Sequence, residues 1–275
     1  MTNDSLRNDK TIWGENPFAA PETEVEEARD EIEEGALLSK PNSVATGRGI
    51  EWIREGWRLM QGSMGVWIGM VFAWSLIMVI FVKTMPLMSF VGALIELLAL
   101  VLLPPVFIAG LMLACHEKAR GEDIHFGYLF AGFSNRMSTL MMLGLVSFLV
   151  SLPVSIVISV GFGLLVAASV TRGPGALSPM LPILLFSPFI IPLLIVMWLS
   201  PQLVALHEEL TAWKAFKLAV RGMLRNILPF AVNGIAFLGL AMLAVIPLGL
   251  GLLLLIPLGV CTFYAAYRDI FIAPR

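Results

Sequence analysis

The sequence predicts an all-α, polytopic membrane protein with six transmembrane helices, and two observations lead to this prediction. Apolar residues make up 58% of the 275 residues, charged residues only 14%, and the mean hydropathy is +0.86, outside the range of soluble domains. Beyond residue 47, long apolar stretches separate four clusters of Lys and Arg. A water-soluble fold could not bury this much Leu, Ile, Val and Met.

The basic clusters predict the orientation of the chain. Only Lys83 and Arg172 lie between the clusters. Lys and Arg accumulate in loops that stay in the cytoplasm, so this alternation predicts six crossings with both termini in the cytoplasm. The clusters are Arg48, Arg54 and Arg58; Lys118, Arg120 and Arg136; Lys214, Lys217, Arg221 and Arg225; Arg268 and Arg275.

Residues 1–46 are predicted to form a disordered, acidic cytoplasmic tail, ahead of a transmembrane domain at 47–275. The tail is rich in Asp and Glu and has few large apolar groups, so it cannot bury enough surface to offset the entropy of ordering. It is too polar to be a signal peptide. Its stretch 13–21 (WGENPFAAP) could dock a protein partner, and its acidic run at 22–34 could fold back on a basic stripe.

Six apolar segments are long enough to span a bilayer, which takes about 20 residues. The third is overlong and contains Pro153, so we expect it to tilt, kink or continue past the membrane surface. The fourth contains four prolines, and neighbouring helices must shield the backbone groups that these leave unpaired. The segments are 64–82, 87–115, 137–170, 181–206, 227–246 and 248–267.

A threefold internal repeat is suggested by the cytoplasmic ends of the even-numbered segments, where His116-Glu117, His207-Glu208 and Arg268-Asp269 recur. An aromatic, amphipathic stretch precedes each pair of segments, and such a stretch suits a helix in the headgroup region. The pattern predicts three parallel hairpin repeats, each preceded by a cytoplasmic interfacial helix. A six-span protein without repeats remains the alternative. The stretches are 50–60, 126–133 and 213–224, and the repeats are approximately 48–118, 124–209 and 212–270.

Few polar side chains lie within the predicted spans. Glu96 is either a proton or cation site within the membrane or a carboxyl at the outer interface. Small residues recur every four positions along the third span, which favours close helix packing over a polar conduit, and Asn233 could bond across helices in the same way. The small residues are Ser147, Ser151, Ser155 and Ser159.

The sequence predicts no catalytic, cofactor or metal site. His116, His125 and His207 lie near carboxylates, but no spacing matches HExxH or CxxC. Cys115 and Cys261 are expected to be free thiols that pack like small apolar residues. A basic stripe lies between two spans with apolar residues opposite it, so anionic lipid is the expected partner rather than nucleic acid. The stripe comprises Lys214, Lys217, Arg221 and Arg225.

Four stretches carry a family resemblance: 47–57 (GRGIEWIREGW), 121–133 (GEDIHFGYLFAGF), 219–229 (AVRGMLRNILP) and 264–271 (YAAYRDIF). They resemble an uncharacterised family of six-span inner-membrane proteins of Gram-negative bacteria, and 16–21 (NPFAAP) is similar to a motif that opens the tails of such proteins. More distantly, the hairpins resemble the membrane domain attached to some glycerophosphodiester phosphodiesterases. The resemblance implies a location in the bacterial cytoplasmic membrane and no reaction.

Three functions follow as hypotheses, and the third of them is an intramembrane enzyme that uses the His-Glu ends of the spans. The first is a non-enzymatic integral membrane protein with a lipid-facing or protein-interaction role, with membrane lipids as partners and the oligomeric state open. The alternative is a transporter or lipid-translocating channel with a path between the three hairpins. A transporter should turn Glu96, Asn233 or the serine row toward a common water-accessible cavity, whereas the first hypothesis places them in dry helix contacts.

Overall fold

The computed structural model describes residues 36–84, 89–172, 180–246 and 251–273. Within these ranges the chain forms nine α-helices and one 3-10 helix, and its β-structure is a single bridge between Leu37 and Ile272. The helices are α1 Arg48–Met60, α2 Met64–Thr84, α3 Phe90–Ala119, the 3-10 helix Phe126–Phe130, α4 Ala131–Ser134, α5 Met137–Arg172, α6 Met180–Leu206, α7 Ala212–Arg225, α8 Ile227–Val245 and α9 Leu252–Phe271.

Six of these helices, α2, α3, α5, α6, α8 and α9, are long and apolar enough to cross a membrane. They coincide with the six predicted segments to within four residues at each end, which confirms the prediction of an all-α chain with six apolar helices. The helix α5 continues through Pro153 for 36 residues, more than the roughly 20 that a crossing requires. The proline-rich α6 contacts α3, α5, α7 and α9, as a helix with unpaired backbone groups requires.

The helices α3, α6 and α9 contact one another and form the interior of the bundle. In the most apolar 18-residue stretches of α3, α6 and α9, 50%, 44% and 56% of the residues are buried. The corresponding values for α2, α5 and α8 are 17%, 17% and 22%. Burial is concentrated near one end of α3: every residue from Pro105 to Cys115 except Leu113 is buried, whereas Phe90 at its other end is 86% exposed. Exposed apolar faces of this kind suit contact with hydrocarbon.

The amphipathic stretches predicted ahead of each pair of spans are helical, although the second is only the 3-10 helix followed by the short α4. They pack in a regular order. The helix α1 lies on α8 and α9, the 3-10 helix lies on α2 and α3, and α7 lies on α5 and α6. Each stretch therefore packs on the pair of spans that precedes it in the chain, and α1 packs on the last pair.

The chain divides into two units, Met1–Ala36 with Ala273–Arg275, and Leu37–Ile272. In the first, the Ala273 amide donates to the Ala36 carbonyl at 3.0 Å. In the second, residues 37–46, which composition assigns to the tail, are hydrogen-bonded to helix ends. The Leu38 amide donates to the Phe271 carbonyl at 2.8 Å, and the Val44 amide donates to Asn226 Oδ1 at 2.9 Å. The remaining tail, with its docking motif and its acidic run, lies outside the described residues.

Candidate functional site

A cluster of charged side chains joins α1 to the end of α9. Arg48 donates to Asp269 Oδ2 at 2.6 Å and to Glu55 Oε1 at 2.8 Å, and the fully buried Trp52 donates its indole N–H to the same Asp269 oxygen at 2.7 Å. Arg268 lies 3.6 Å from Glu55 Oε2. Arg48 and Glu55 of α1 are therefore both paired with charged side chains within the protein.

A second polar cluster lies where α3, α6 and α9 end together. His116 Nδ1 lies 3.1 Å from the Tyr264 hydroxyl, and His207 Nε2 lies 2.7 Å from the Tyr267 hydroxyl. The two tyrosine rings are 5.8 Å apart. The two histidines belong to the recurring His-Glu pairs at the ends of two different spans. Each thus contacts a tyrosine of a third span, and the four side chains link α3, α6 and α9 at this end.

Burial lowers the pKa of His207 below its ordinary value. The positive charge that His116 can carry acts in the same direction, while the nearby carboxylate of Glu209, with its Oε1 3.8 Å from His207 Nδ1, acts in the opposite one. The neutral imidazole is therefore the form that suits its hydrogen bond with Tyr267 in the folded protein.

We expect acidification to destabilise the protein through His207. The unfolded chain takes up a proton near pH 6.5 that the folded His207 resists, so the free energy of unfolding falls below about pH 6.5, by at most about 1.4 kcal/mol per pH unit. The substitution His207→Gln should reduce this dependence, measured as the thermal unfolding midpoint in detergent between pH 5 and pH 8. Identical pH profiles for the variant and the natural chain would contradict this role of His207.

Two cysteines from different spans lie next to this cluster. Cys115 Sγ and Cys261 Sγ are 4.0 Å apart, and both residues are fully buried free thiols. Thiols without solvent access are poor nucleophiles. Among the described residues, no three His, Cys, Asp or Glu side chains are arranged to hold a metal ion.

Glu96 is buried, with 5% of its surface exposed, near the opposite end of the spans. Its Oε1 lies 2.6 Å from Thr84 Oγ1 at the end of α2, and its Oε2 has no partner among the described residues. The carboxyl therefore joins α2 to α3 within one hairpin, and no other predicted polar position of the spans bonds to it.

The serine row of α5 does not form one continuous buried face. Ser147 is 3% exposed, Ser151 bonds to the Phe148 carbonyl of its own helix, and Ser155 and Ser159 are exposed. Asn233 is buried on α8 and donates to the Gly49 carbonyl of α1 at 3.0 Å. The predicted polar positions therefore do not form one continuous buried site.

The basic stripe lies along the exposed side of α7. Lys214, Lys217, Arg221 and Arg225 are all exposed, whereas Phe216 and other residues on the opposite side of the helix pack into the core. The helix begins at Ala212, and the hydroxyl of the preceding Thr211 accepts from the Lys214 amide at 3.4 Å as its N-cap. A cavity of about 260 Å³ lies beside this stripe.

Sequence reasoning missed the roles of Arg136 and Asn226. Arg136 donates to the carbonyls of Val204, His207 and Leu210 at 3.1, 2.7 and 2.9 Å, and so binds the backbone at the end of α6. Asn226 is buried and donates to the Asn42 and Gly222 carbonyls at 2.8 and 2.9 Å. The only signal for either residue is a polar side chain just before an apolar span.

These features define the class of the protein. In the part of the chain that the structure describes, it is an all-helical, multi-pass membrane protein in which shorter amphipathic helices pack on six apolar helices. Comparisons with protein-family models, with curated proteins and with solved structures found no match to this chain.

Proposed function

We propose that the chain is a non-enzymatic protein of the bacterial cytoplasmic membrane that presents a rigid, lipid-facing platform on the cytoplasmic side. The observation that carries this proposal is the attachment of α1 and α7 to the spans by short hydrogen bonds and backbone contacts. Asn233 holds α1, and Arg136 holds the segment that leads into α7. Helices fixed in this way keep one face toward lipid or a partner protein.

The three-repeat architecture is part of this proposal. It is supported by the regular packing of each interfacial stretch on the pair of spans before it, and by the meeting of α3, α6 and α9. A pseudo-threefold axis along the membrane normal accounts for both features.

The alternative, a transporter or lipid-translocating channel between the hairpins, is favoured by a different observation. Several buried polar atoms of the described spans have no hydrogen-bond partner: Nε1 of Trp67 and Trp74, Glu96 Oε2 and Gln202 Oε1. Water or a polar solute would satisfy such atoms. Glu96 bonds to Thr84 of the neighbouring helix and Asn233 bonds to the Gly49 carbonyl of α1, and this use of both side chains in helix contacts weighs against this alternative.

Labelling of single introduced cysteines tests both proposals, and the native cysteines can stay because both are fully buried. With a membrane-impermeant maleimide we expect Ala176→Cys, between the third and fourth spans, to react in intact spheroplasts, and Arg225→Cys to react only after permeabilisation. The reverse pattern would exclude the cytoplasmic platform. Gln202→Cys should stay unlabelled throughout, because Gln202 is fully buried; rapid labelling there would favour the transporter.

A further inference from the structure

We propose that the cavity beside α7 binds the phosphodiester headgroup of an anionic phospholipid. The inference rests on the proposed function, because it requires α7 to lie at a membrane surface. It assigns to three of the four basic residues of the stripe a defined site in place of a general attraction to lipid. The cavity has a volume of about 260 Å³, and its lining includes Lys214, Lys217, Arg221, Leu38, Ser39 and Leu218.

Within the described residues, no carboxylate pairs with the cations of the cavity. In the part of the chain that the structure describes, Lys214, Lys217 and Arg221 form no ion pair, and the Lys217 ammonium lies 5.6 Å from the centre of the Trp213 ring. Two arginines of α1 behave differently, since Arg48 pairs with Asp269 and Glu55, and Arg54 pairs with Glu51. Three cations around a cavity whose lining contains no carboxylate are suited to an anionic ligand.

The walls of the cavity are held in place. Leu210 lines the cavity, and its carbonyl accepts from Arg136 at 2.9 Å. Leu38 also lines the cavity, and its amide donates to the Phe271 carbonyl at 2.8 Å. A site with fixed walls loses less conformational entropy on binding than a pair of mobile surface lysines.

The position of the cavity selects a lipid over a soluble anion. Large apolar side chains on the same helix and at the start of the next span are exposed, which is typical of a segment at the depth of the headgroups. Lys214 and Arg221 are seven residues apart, or about 10 Å along the helix, so the cations extend over a phosphodiester and its neighbouring glycerol. The exposed apolar residues are Trp213, Leu224, Ile227 and Leu228.

The test is a titration of phosphatidylglycerol into the full-length protein in neutral detergent, with bound lipid counted by native mass spectrometry. Neutral detergent removes the surface potential of a charged bilayer, so binding of the lipid then requires a defined site on the protein. We expect the double substitution Lys214→Gln with Arg221→Gln to weaken binding about 30-fold, from roughly fivefold for each basic residue. The matched control is Arg58→Gln with Arg225→Gln, two exposed arginines outside the cavity, which should change the affinity less than twofold.

A second variant keeps the charge and blocks the space. Ser39→Trp places a large ring in the cavity from an exposed position, so it should weaken binding at least tenfold and leave the thermal midpoint unchanged. Equal losses in the two double variants, or undiminished binding by Ser39→Trp, would overturn the site. So would equal binding of phosphatidylethanolamine, which indicates general lipid contact, or binding of inorganic phosphate as tight as that of the lipid, which indicates a free-phosphate site.

Failure of this inference is distinguishable from failure of the proposed function. If Arg225→Cys is protected in spheroplasts but phosphatidylglycerol does not bind, only the lipid site is lost. If Arg225→Cys reacts in intact spheroplasts, the cytoplasmic platform itself is wrong, whatever the lipid titration gives.

Discussion

The substitution Gly132→Ala should strongly destabilise the protein, although it adds only one methyl group. Gly132 lies on α4, where it meets α3 so closely that a Cβ would overlap the carbonyl oxygen of Val106. Because that oxygen belongs to the backbone of an inner helix, no side-chain rotation can relieve the overlap. We expect the free energy of unfolding to fall by about 3 kcal/mol, measured by thermal or chemical unfolding in detergent.

The control is the same substitution at Gly65, on α2, where a Cβ would meet no atom within 4 Å. Alanine is a better helix former than glycine, so Gly65→Ala should leave stability unchanged or raise it by up to about 1 kcal/mol. If both variants unfolded at the same midpoint, the close approach of α4 to α3 would be refuted.

Arg136→Met should have a comparable effect for a different reason. It removes three hydrogen bonds to backbone carbonyls, one in the last turn of α6 and two in the residues that follow this helix. Those carbonyls have no further helical turn that could donate to them. Hydrogen bonds from a charged donor are among the stronger ones, so we expect a loss of about 3 kcal/mol in the free energy of unfolding. The exposed Arg225→Met is the matched control and should cost less than about 0.5 kcal/mol.

A third variant separates the hydrogen bonds of Arg136 from its backbone strain. Arg136 has a φ of 54°, in the left-handed region that glycine adopts without penalty. Arg136→Gly loses the same bonds but relieves this strain, so it should be about 1 kcal/mol more stable than Arg136→Met. Wild-type stability of both variants would show that the end of α6 does not depend on Arg136.

The secondary structure could be predicted from the sequence because it depends on local patterns. The run from Met64 to Val82 is apolar apart from Ser75, and that run alone predicts the bounds of α2 to within two residues. Along 213–224, basic and apolar residues each recur every three or four positions, and this helical spacing likewise predicts α7. The 3-10 helix Phe126–Phe130 was harder to anticipate, because a short aromatic stretch has no sustained period.

The site could be predicted only in part. The basic stripe of α7 was evident from spacing, but the stripe alone did not separate Arg225 from the three cations that line the cavity. That distinction depends on Leu37 and Leu38, which are far away in the sequence and were assigned to the tail by composition. Arg136 was predicted only as a cytoplasmic charge, since nothing near it in the sequence reveals that its partners lie some 70 positions later.

The amino-acid sequence is sufficient to predict six apolar helices and, to within four residues, where each begins and ends, because hydrophobicity and periodicity are properties of neighbouring residues. It is not sufficient to predict which helices are interior, which histidine meets which tyrosine, and which cations of α7 surround a cavity. These outcomes depend on contacts between residues such as His116 and Tyr264, 148 positions apart. Such contacts form only after helices with similar apolar surfaces have packed, and their choice of partners depends on small glycine contacts and single polar bonds that leave no periodic trace in the chain.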